Sequence, residues 1–355
     1  MTALVAHAPG LDDVPAAVEA ALAEFLDGKA RTGAGLRQFT ELLRGLLGAG
    51  GKRLRPVLCC CGWLAAGGGE LAPVVPAAAS LELFHMFALI HDDIMDRSDT
   101  RRGRPTVHRA LADRASGRPD LTDAERFGVN GAILVGDLAM VWSDELLHTS
   151  GLSADRLAAA RPVLDAMRSE LMYGQYLDLL VSTDLDSGLE ASLTVAQYKT
   201  AKYTVERPLQ LGAALAGGDD RTHEACSAYG LPLGEAFQLR DDVLGVFGDP
   251  SVTGKPCLDD LREGKHTALL AIALRQAGPA QARTLRALVG DARLDEDGAA
   301  VVRGVLRDTG ALDTVERMIH ARCRQAVDSL DRSPFPPAVR AALTRLATAA
   351  TVRTS

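Results

Sequence analysis

The chain has 355 residues, 47% of them hydrophobic and 24% charged, with a net charge of −7 at pH 7. That length holds one large domain or two ordinary ones, and the acidic balance excludes a basic nucleic-acid-binding surface. Ala and Leu dominate the apolar residues and β-branched runs are few, which predicts an all-α protein.

Six cysteines are present, at 59, 60, 61, 226, 257 and 323. Consecutive cysteines make a poor disulfide framework and no C-x-x-C pair occurs, so the reading is reduced thiols in a cytoplasmic protein. Residues 1–10 form a loose start without the basic end and long apolar stretch of a signal peptide.

Helical patterns run over about 11–28 and 36–48. Gly50-Gly51-Lys52-Arg53-Leu54-Arg55-Pro56 is then a glycine turn with three cations, leading into a helix over 57–66. Glycines let backbone approach a ligand, and Lys and Arg offer donors to phosphate oxygens. A basic cap on an ordinary helix is the competing reading, and the spacing is not that of a Walker A loop. After Gly67-Gly68-Gly69 a long helix spans about 71–97. Along it Glu82, His85, Leu89, Asp92 and Asp96 recur three and four apart, a mostly polar stripe on an otherwise apolar rod. His85 sits two turns before the aspartates, either in reach of a second anionic group or as a satisfied core histidine.

Asp92, Asp93 and Asp96 crowd the end of that helix. Bare carboxylates so close repel one another, and buried ones need partners. Oxygen donors without Cys or His at ligand spacing favour Mg²⁺ over zinc. The alternative is a solvated acidic helix end. Residues 100–108, TRRGRPTVH, add a basic loop whose arginine forks suit a diphosphate, or which is simply solvated. Residues 113–122 read as a polar surface loop.

Helices follow over about 123–149 and 154–182, the second carrying Gln175 and Asp178. The segment 127–142 is the greasiest of the chain. Asn130 and Asp137 interrupt it, and it falls short of the ~20 apolar residues of a membrane span. It is expected to be a buried central helix, with no stable membrane insertion. A helix over 194–216 carries Lys199, Thr200 and Lys202; Lys199 reads as a cavity cation or as an exposed charge. The helix of about 221–247 repeats the earlier design, an apolar run from Tyr229 to Leu239 ending at Asp241 and Asp242. The stretches 253–256 and 259–267 bring Lys255 and Lys265 near those acids. From 266 to 350 ordinary amphipathic helices are expected, broken at 278–279 and 333–337. There is no convincing strand, no repeat and no long linker, so one domain over 1–355 is expected. Two acid clusters on separate helices can face each other and hold several Mg²⁺ ions on one polyphosphate, because Mg²⁺ prefers a few carboxylates plus phosphate oxygens. The chemistry indicated is that of diphosphates.

In this order, GGKRLRP, LELFH, HDDIMD, RRGRPTVH, YKT, FQLRDD, TGKP and EGK resemble the trans-isoprenyl diphosphate synthase family, closest to geranylgeranyl diphosphate synthases of the actinobacterial type. The resemblance covers about 50–268. It implies a type I isoprenoid synthase bundle of helices around a deep central cavity, in a homodimer. It assigns Asp92, Asp93 and Asp96 to Mg²⁺ on the allylic diphosphate, with Asp241 and Asp242 binding Mg²⁺ from the opposite wall, three ions per site. Arg101, Lys199 and Lys255 would contact the allylic diphosphate. Lys52, Arg55, His85 and Arg102 would bind isopentenyl diphosphate, Lys265 would add a further substrate contact, and Thr200 and Gln238 would line the reacting centre. One departure stands out: the second motif normally reads DDxxD, but Gly245 holds its last position. Asp249, one turn later, is the expected partial substitute.

The implied chemistry is ionisation of the allylic C–O bond, with Mg²⁺ and the cations neutralising the leaving diphosphate. The isopentenyl double bond then attacks the allylic cation and a proton is lost, with the departing diphosphate as its expected acceptor. An apolar cavity keeps water from quenching the cation. Bulk below the acids should set product length. Phe87 lies roughly 7.5 Å down the helix from Asp92 and Phe84 near ~12 Å, while Ala88 is small. In the related enzymes one aromatic five residues before the first aspartate, without a second at minus four, goes with twenty-carbon products, so geranylgeranyl diphosphate is expected. Farnesyl or longer-chain synthesis, a class I terpene cyclase and a non-catalytic subunit of a heteromeric synthase are the other readings. A cyclase has no use for GGKRLRP, His85 and Arg102, and such subunits tend to lose their aspartates.

Overall fold

Apolar residues spaced three and four apart wind most of the chain into helices. The structure, a computed structural model, describes residues 10–116, 123–182, 187–248 and 258–352. Contacts divide the chain into two compact units, 1–161 with 211–219, and 162–210 with 220–355.

In the first unit, α1 (Val14–Thr32) starts with a proline in its first turn and buries Val14, Val18, Leu22 and Leu26, one per turn. Helix α2 (Ala34–Gly48) gives way to Gly50 and Gly51, both at positive φ, a backbone state that glycine adopts without steric cost. Helix α3 (Leu54–Ala65) buries Cys59, Cys60 and Cys61. The long α4 (Val75–Met95) packs on α6 (Ala124–His148), as does α5 (Val107–Ser116). Asp123 caps α6 by accepting a hydrogen bond from the Arg126 N–H at 2.9 Å, satisfying one of the free donors of the first turn.

Three expectations need correction here. The greasy segment 127–142 is not buried all round. Its inner face of Gly128, Ala132, Val135 and Ala139 is covered, but Phe127, Leu134 and Val141 are 38%, 60% and 55% exposed. Those three are seven residues apart, two helical turns, so they share the face that α4 and α5 leave uncovered. The expected loop at 113–122 starts late, because Asp113–Ser116 form the last turn of α5; 117–122 lie outside the described residues. The basic loop contains two short antiparallel strands, β1 (Thr100–Arg101) and β2 (Arg104–Pro105). Between them Arg102 and Gly103 both take positive φ, at 53° and 70°, the two-residue turn whose twist matches paired strands.

In the second unit, α7 (Ala154–Val181) enters at Pro162 and is followed by α8 (Gly188–Val195). The expected single helix over 194–216 is instead a π-helical segment, Ala196–Glu206, continued by α9 (Arg207–Ala216). The wider π turn is rare and concentrates at functional sites; here it carries the whole YKTAKY motif. Helix α10 (Asp220–Phe247) packs on that segment and on the helix Ala311–Asp331. Arg240 donates from its two terminal nitrogens to the two carboxylate oxygens of Glu316 at 2.6 and 2.8 Å. The Tyr229 hydroxyl, fully buried, donates to the Leu343 carbonyl at 2.7 Å. A short helix, α11 (Asp259–Arg262), precedes the amphipathic helices Ala268–Gln276, Pro279–Leu288, Glu296–Asp308, Ala311–Asp331 and Pro337–Val352. Among the described residues no helix is long and apolar enough to cross a membrane.

Candidate functional site

The first unit gathers the basic motifs and the first acid cluster on α4. Asp92 and Asp93 lie in its last turn and Asp96 is its C-cap. A helix C-terminus carries partial negative charge from its free carbonyls, so three acids there add repulsion to an already unfavourable end. Arg101 meets them from β1. Its Nε donates to Asp93 Oδ1 at 2.6 Å, its Nη2 lies 2.5 Å from the same oxygen and 3.6 Å from Asp92. Burial alone pushes the guanidinium pKa down, but the charge and hydrogen bond of Asp93, with Asp92 and Asp96 behind it, hold it above its usual value. Asp93 is 1% exposed, whereas Asp92 and Asp96 are half-buried.

Arg102, at the hairpin tip, donates to the Gly50 carbonyl, which joins the RRGRP and GGKRLRP motifs. His85 sits half-buried on the same helix as the acids. Burial, then the charges of Arg55, Arg102, Arg101 and Arg53, hold its imidazole well below its usual pKa, so it is neutral near pH 7. Lys52 is exposed and Arg55 half-buried. Arg53 plays a different part: it is 5% exposed, at φ 47°, and donates to Glu82 at 3.1 Å and to the Leu47 carbonyl at 2.7 Å. The middle cation of the motif therefore holds the fold, while Lys52 beside it is exposed to solvent.

The aromatics below the acids form a stack. Phe84 and Phe87 lie 5.4 Å apart, and Phe87 lies 4.7 Å from the His91 ring. His91 Nε2 is 3.4 Å from Asp137 on α6, and the ring fills the space above Gly136, where a Cβ would sit 2.3 Å from it. At 100° per residue, Ala88 is about 40° around the helix from Asp92, Phe84 about 80° and Phe87 about 140°. Ala88 thus shares the face of the aspartates, and Phe87 belongs with His91.

The second unit gathers the remaining candidates. Thr200, on the π-helical segment, donates to Gln238 Oε1, and Gln238 Nε2 donates to Asp242 Oδ1 at 2.7 Å. This relay fixes the orientation of Asp242. Lys199 is a partnered cation: its Nζ donates to Asp178 at 2.6 Å, with Gly174 admitting the backbone of Lys199 where a Cβ would lie 2.4 Å from its nitrogen. Lys265 lies 3.0 Å from Glu263 and 3.5 Å from Asp260. Burial pushes the Asp242 carboxyl up to about 7; the Gln238 hydrogen bond opposes this, and the charges of Asp260, Asp241 and Asp178 add to it. Lys255 and Asp249 lie outside the described residues.

These acids suit Mg²⁺. The donors are all carboxylate oxygens that repel one another within each cluster, and those of α4 also stand at its C-terminal end, where a cation is favoured. Among the described residues no three acidic, His or Cys side chains converge as a closed metal cage. A cation that completes its shell with water and phosphate oxygens does not need one.

The sequence pattern carries Asp178 on its helix without a role, and assigns none to Asp260 or Glu170. Glu170 accepts from Lys202 at 2.5 Å and from two Arg207 nitrogens at 2.7 Å, an ion cluster that no local motif announces.

Residues 37–304 match the polyprenyl synthetase family model. A geranylfarnesyl diphosphate synthase of Aeropyrum pernix is 36% identical over 293 residues, 81% of this chain and 86% of that protein. A geranylgeranyl diphosphate synthase of Methanosarcina mazei is 34% identical over 288 residues, 81% of this chain and 82% of that one. The crystal structure of a geranylgeranyl pyrophosphate synthase from Corynebacterium glutamicum, complexed with isoprenyl diphosphate and magnesium, superposes with a TM-score of 0.93 at 44% identity. It covers 97% of this chain and 100% of its own.

Proposed function

The chain belongs to the polyprenyl synthetase family and is a prenyltransferase; from that premise we propose that it condenses isopentenyl diphosphate with dimethylallyl, geranyl and farnesyl diphosphates to give all-trans geranylgeranyl diphosphate. The observation that carries the reading is the acid cluster at the end of α4 with Arg101 on Asp93, next to the hairpin whose tip residue, Arg102, reaches the Gly50 carbonyl of the GGKRLRP turn. One helix end then offers an acidic and a basic station side by side, as a reaction of two diphosphates requires.

Asp92, Asp93 and Asp96 would hold Mg²⁺ on the allylic diphosphate, and Asp241 and Asp242 would hold it from the second cluster, with three ions per site. Bound Mg²⁺ supplies positive charge against the leaving diphosphate. Arg101, Lys199 and Lys255 orient the same group and draw charge onto it as the C–O bond breaks. Lys52, Arg55, His85 and Arg102 hold isopentenyl diphosphate with its double bond toward the allylic carbon; a neutral His85 donates one hydrogen bond without adding charge. Thr200 and Gln238 keep Asp242 turned toward the diphosphate. The proton lost after condensation passes to the departing diphosphate, so no side-chain base is required. Ala88, with Phe84 and Phe87 behind it, leaves room for a twenty-carbon tail.

The exposed stripe of Phe127, Leu134 and Val141 on α6 supports a homodimer, since three large apolar side chains on one face favour burial against a second copy. A Leu134→Glu variant should elute as a monomer in size-exclusion chromatography with light scattering. The burial of Cys59, Cys60, Cys61, Cys226 and Cys323 as packed core side chains supports a reducing, cytoplasmic setting.

Incubation with Mg²⁺, isopentenyl diphosphate and each allylic starter tests the function, with product length read by chromatography. The expected product is geranylgeranyl diphosphate, abolished by chelation. A cyclic hydrocarbon from one diphosphate alone, or turnover that survives thorough chelation, overturns it.

A further inference from the structure

The second acid motif, Asp241-Asp242-Val243-Leu244-Gly245, has no carboxylate at its last position. The space is nevertheless filled by one. A Cβ at Gly245 would lie 1.8 Å from Oδ2 of Asp260 and 3.0 Å from its Cγ, so the Asp260 carboxylate stands where a side chain at 245 would begin. A contact that short excludes any side chain at 245 unless Asp260 moves.

Asp260 is held there by its own element. On α11 the neighbouring Leu261 is 5% exposed, and its carbonyl accepts from the Gly290 N–H at 2.8 Å. Arg262 Nε donates to the Leu294 carbonyl at 2.9 Å, and the Lys265 N–H donates to the Asp260 carbonyl at 3.1 Å. Leu261, Arg262 and Lys265 thus anchor the turn on the C-terminal side of Asp260, whose side chain, 23% exposed, meets α10 at Gly245. Lys265 partly balances it from 3.5 Å.

We propose that Asp260 supplies the third carboxylate of the second acid cluster, and that Gly245 is the gap that admits it. The acid is delivered from a different element into the volume that the missing side chain vacates. It thereby acts on the same metal–diphosphate group as Asp241 and Asp242, directly or through a metal-bound water. Lys265 follows from this as a positioning residue, steering Asp260 as well as lying near substrate. The inference rests on the reading of Asp241 and Asp242 as Mg²⁺ ligands.

The test is titration calorimetry of Mg²⁺ into the full chain saturated with inorganic pyrophosphate, with Mn²⁺ paramagnetic resonance counting bound ions. Asp260→Asn keeps the shape and removes the charge; it should weaken Mg²⁺ binding about tenfold or more, the usual scale for a lost ligand or its direct partner. Gly245→Ala should reproduce that deficit by displacing Asp260. The double variant Gly245→Asp with Asp260→Ala, which returns the acid to its place in the motif, should restore the wild-type titration. Asp241→Asn is the reference. If it weakens Mg²⁺ binding while Asp260→Asn and Gly245→Ala do not, the inference falls and the reading of the cluster stands. A double variant as weak as Asp260→Asn also sinks the inference. If Asp241→Asn itself binds Mg²⁺ like the wild type, the reading of the cluster falls with it.

Discussion

Arg101 Nη2 lies 2.5 Å from Asp93 Oδ1, and the two side chains are 13% and 1% exposed. A buried pair of this kind contributes little net stability when intact, because desolvation offsets the attraction, but losing one partner strands the other charge. Arg101→Gln and Asp93→Leu should each destabilise the chain by about 3 kcal/mol in denaturant unfolding. The double variant should recover much of that loss, while all three lose turnover. Additive single effects would mean that the pair is not energetically coupled.

Arg102 reaches the Gly50 carbonyl and adds to the field that keeps His85 neutral. Removing it takes away a charge-assisted contact, worth about 2 kcal/mol. Arg102→Ala should therefore raise KM for isopentenyl diphosphate by roughly tenfold or more, with KM for the allylic substrate little changed. An equal rise in both would place Arg102 at neither diphosphate in particular.

Ala88 lies on the same face as Asp92, about 40° away around the helix, and Phe87 is turned away onto His91. A ring added at 88 stands in the path of the growing chain, so Ala88→Phe should shift the product to fifteen carbons. Phe87→Ala should lengthen it less, because the vacated space lies against His91. Product analysis checks both; an unchanged length in Ala88→Phe would move the floor elsewhere.

Glu170 illustrates a stability effect of pH. Burial raises its pKa, but hydrogen bonds and charge from Arg207 and Lys202 prevail and hold it below its usual 4.5. A depressed carboxyl binds fewer protons when folded than unfolded, so its stabilisation is full above about pH 4.5 and is lost as pH falls through the lower folded value. Glu170→Gln should lower stability at pH 7 and flatten the pH dependence of Tm between about pH 5 and 3. Parallel profiles for the two proteins would remove Glu170 as a source of acid sensitivity.

The helices, the acid clusters and the basic turns were legible in the sequence because each is local. Periodic apolar residues dictate a helix, and Asp92, Asp93 and Asp96 fall together through the helical repeat alone. The resemblance of eight ordered motifs carried the family. The π-helical course of Ala196–Glu206, which packs on α10, was not legible, since no local pattern distinguishes the wider turn from an α-helical one.

The same division holds for the roles of individual residues. Sequence determined which charges exist and roughly where they cluster: Lys52, Arg53 and Arg55 beside a glycine turn, Asp241 and Asp242 at the end of an apolar run, and a glycine at 245. Only tertiary structure decided that Arg53 is a buried prop for Glu82, that Lys199 answers Asp178, and that Asp260 fills the place above Gly245. Hydrogen bonds along one helix follow from spacing, whereas a partner 15 or more residues away is chosen by how the intervening chain packs, which no local pattern encodes.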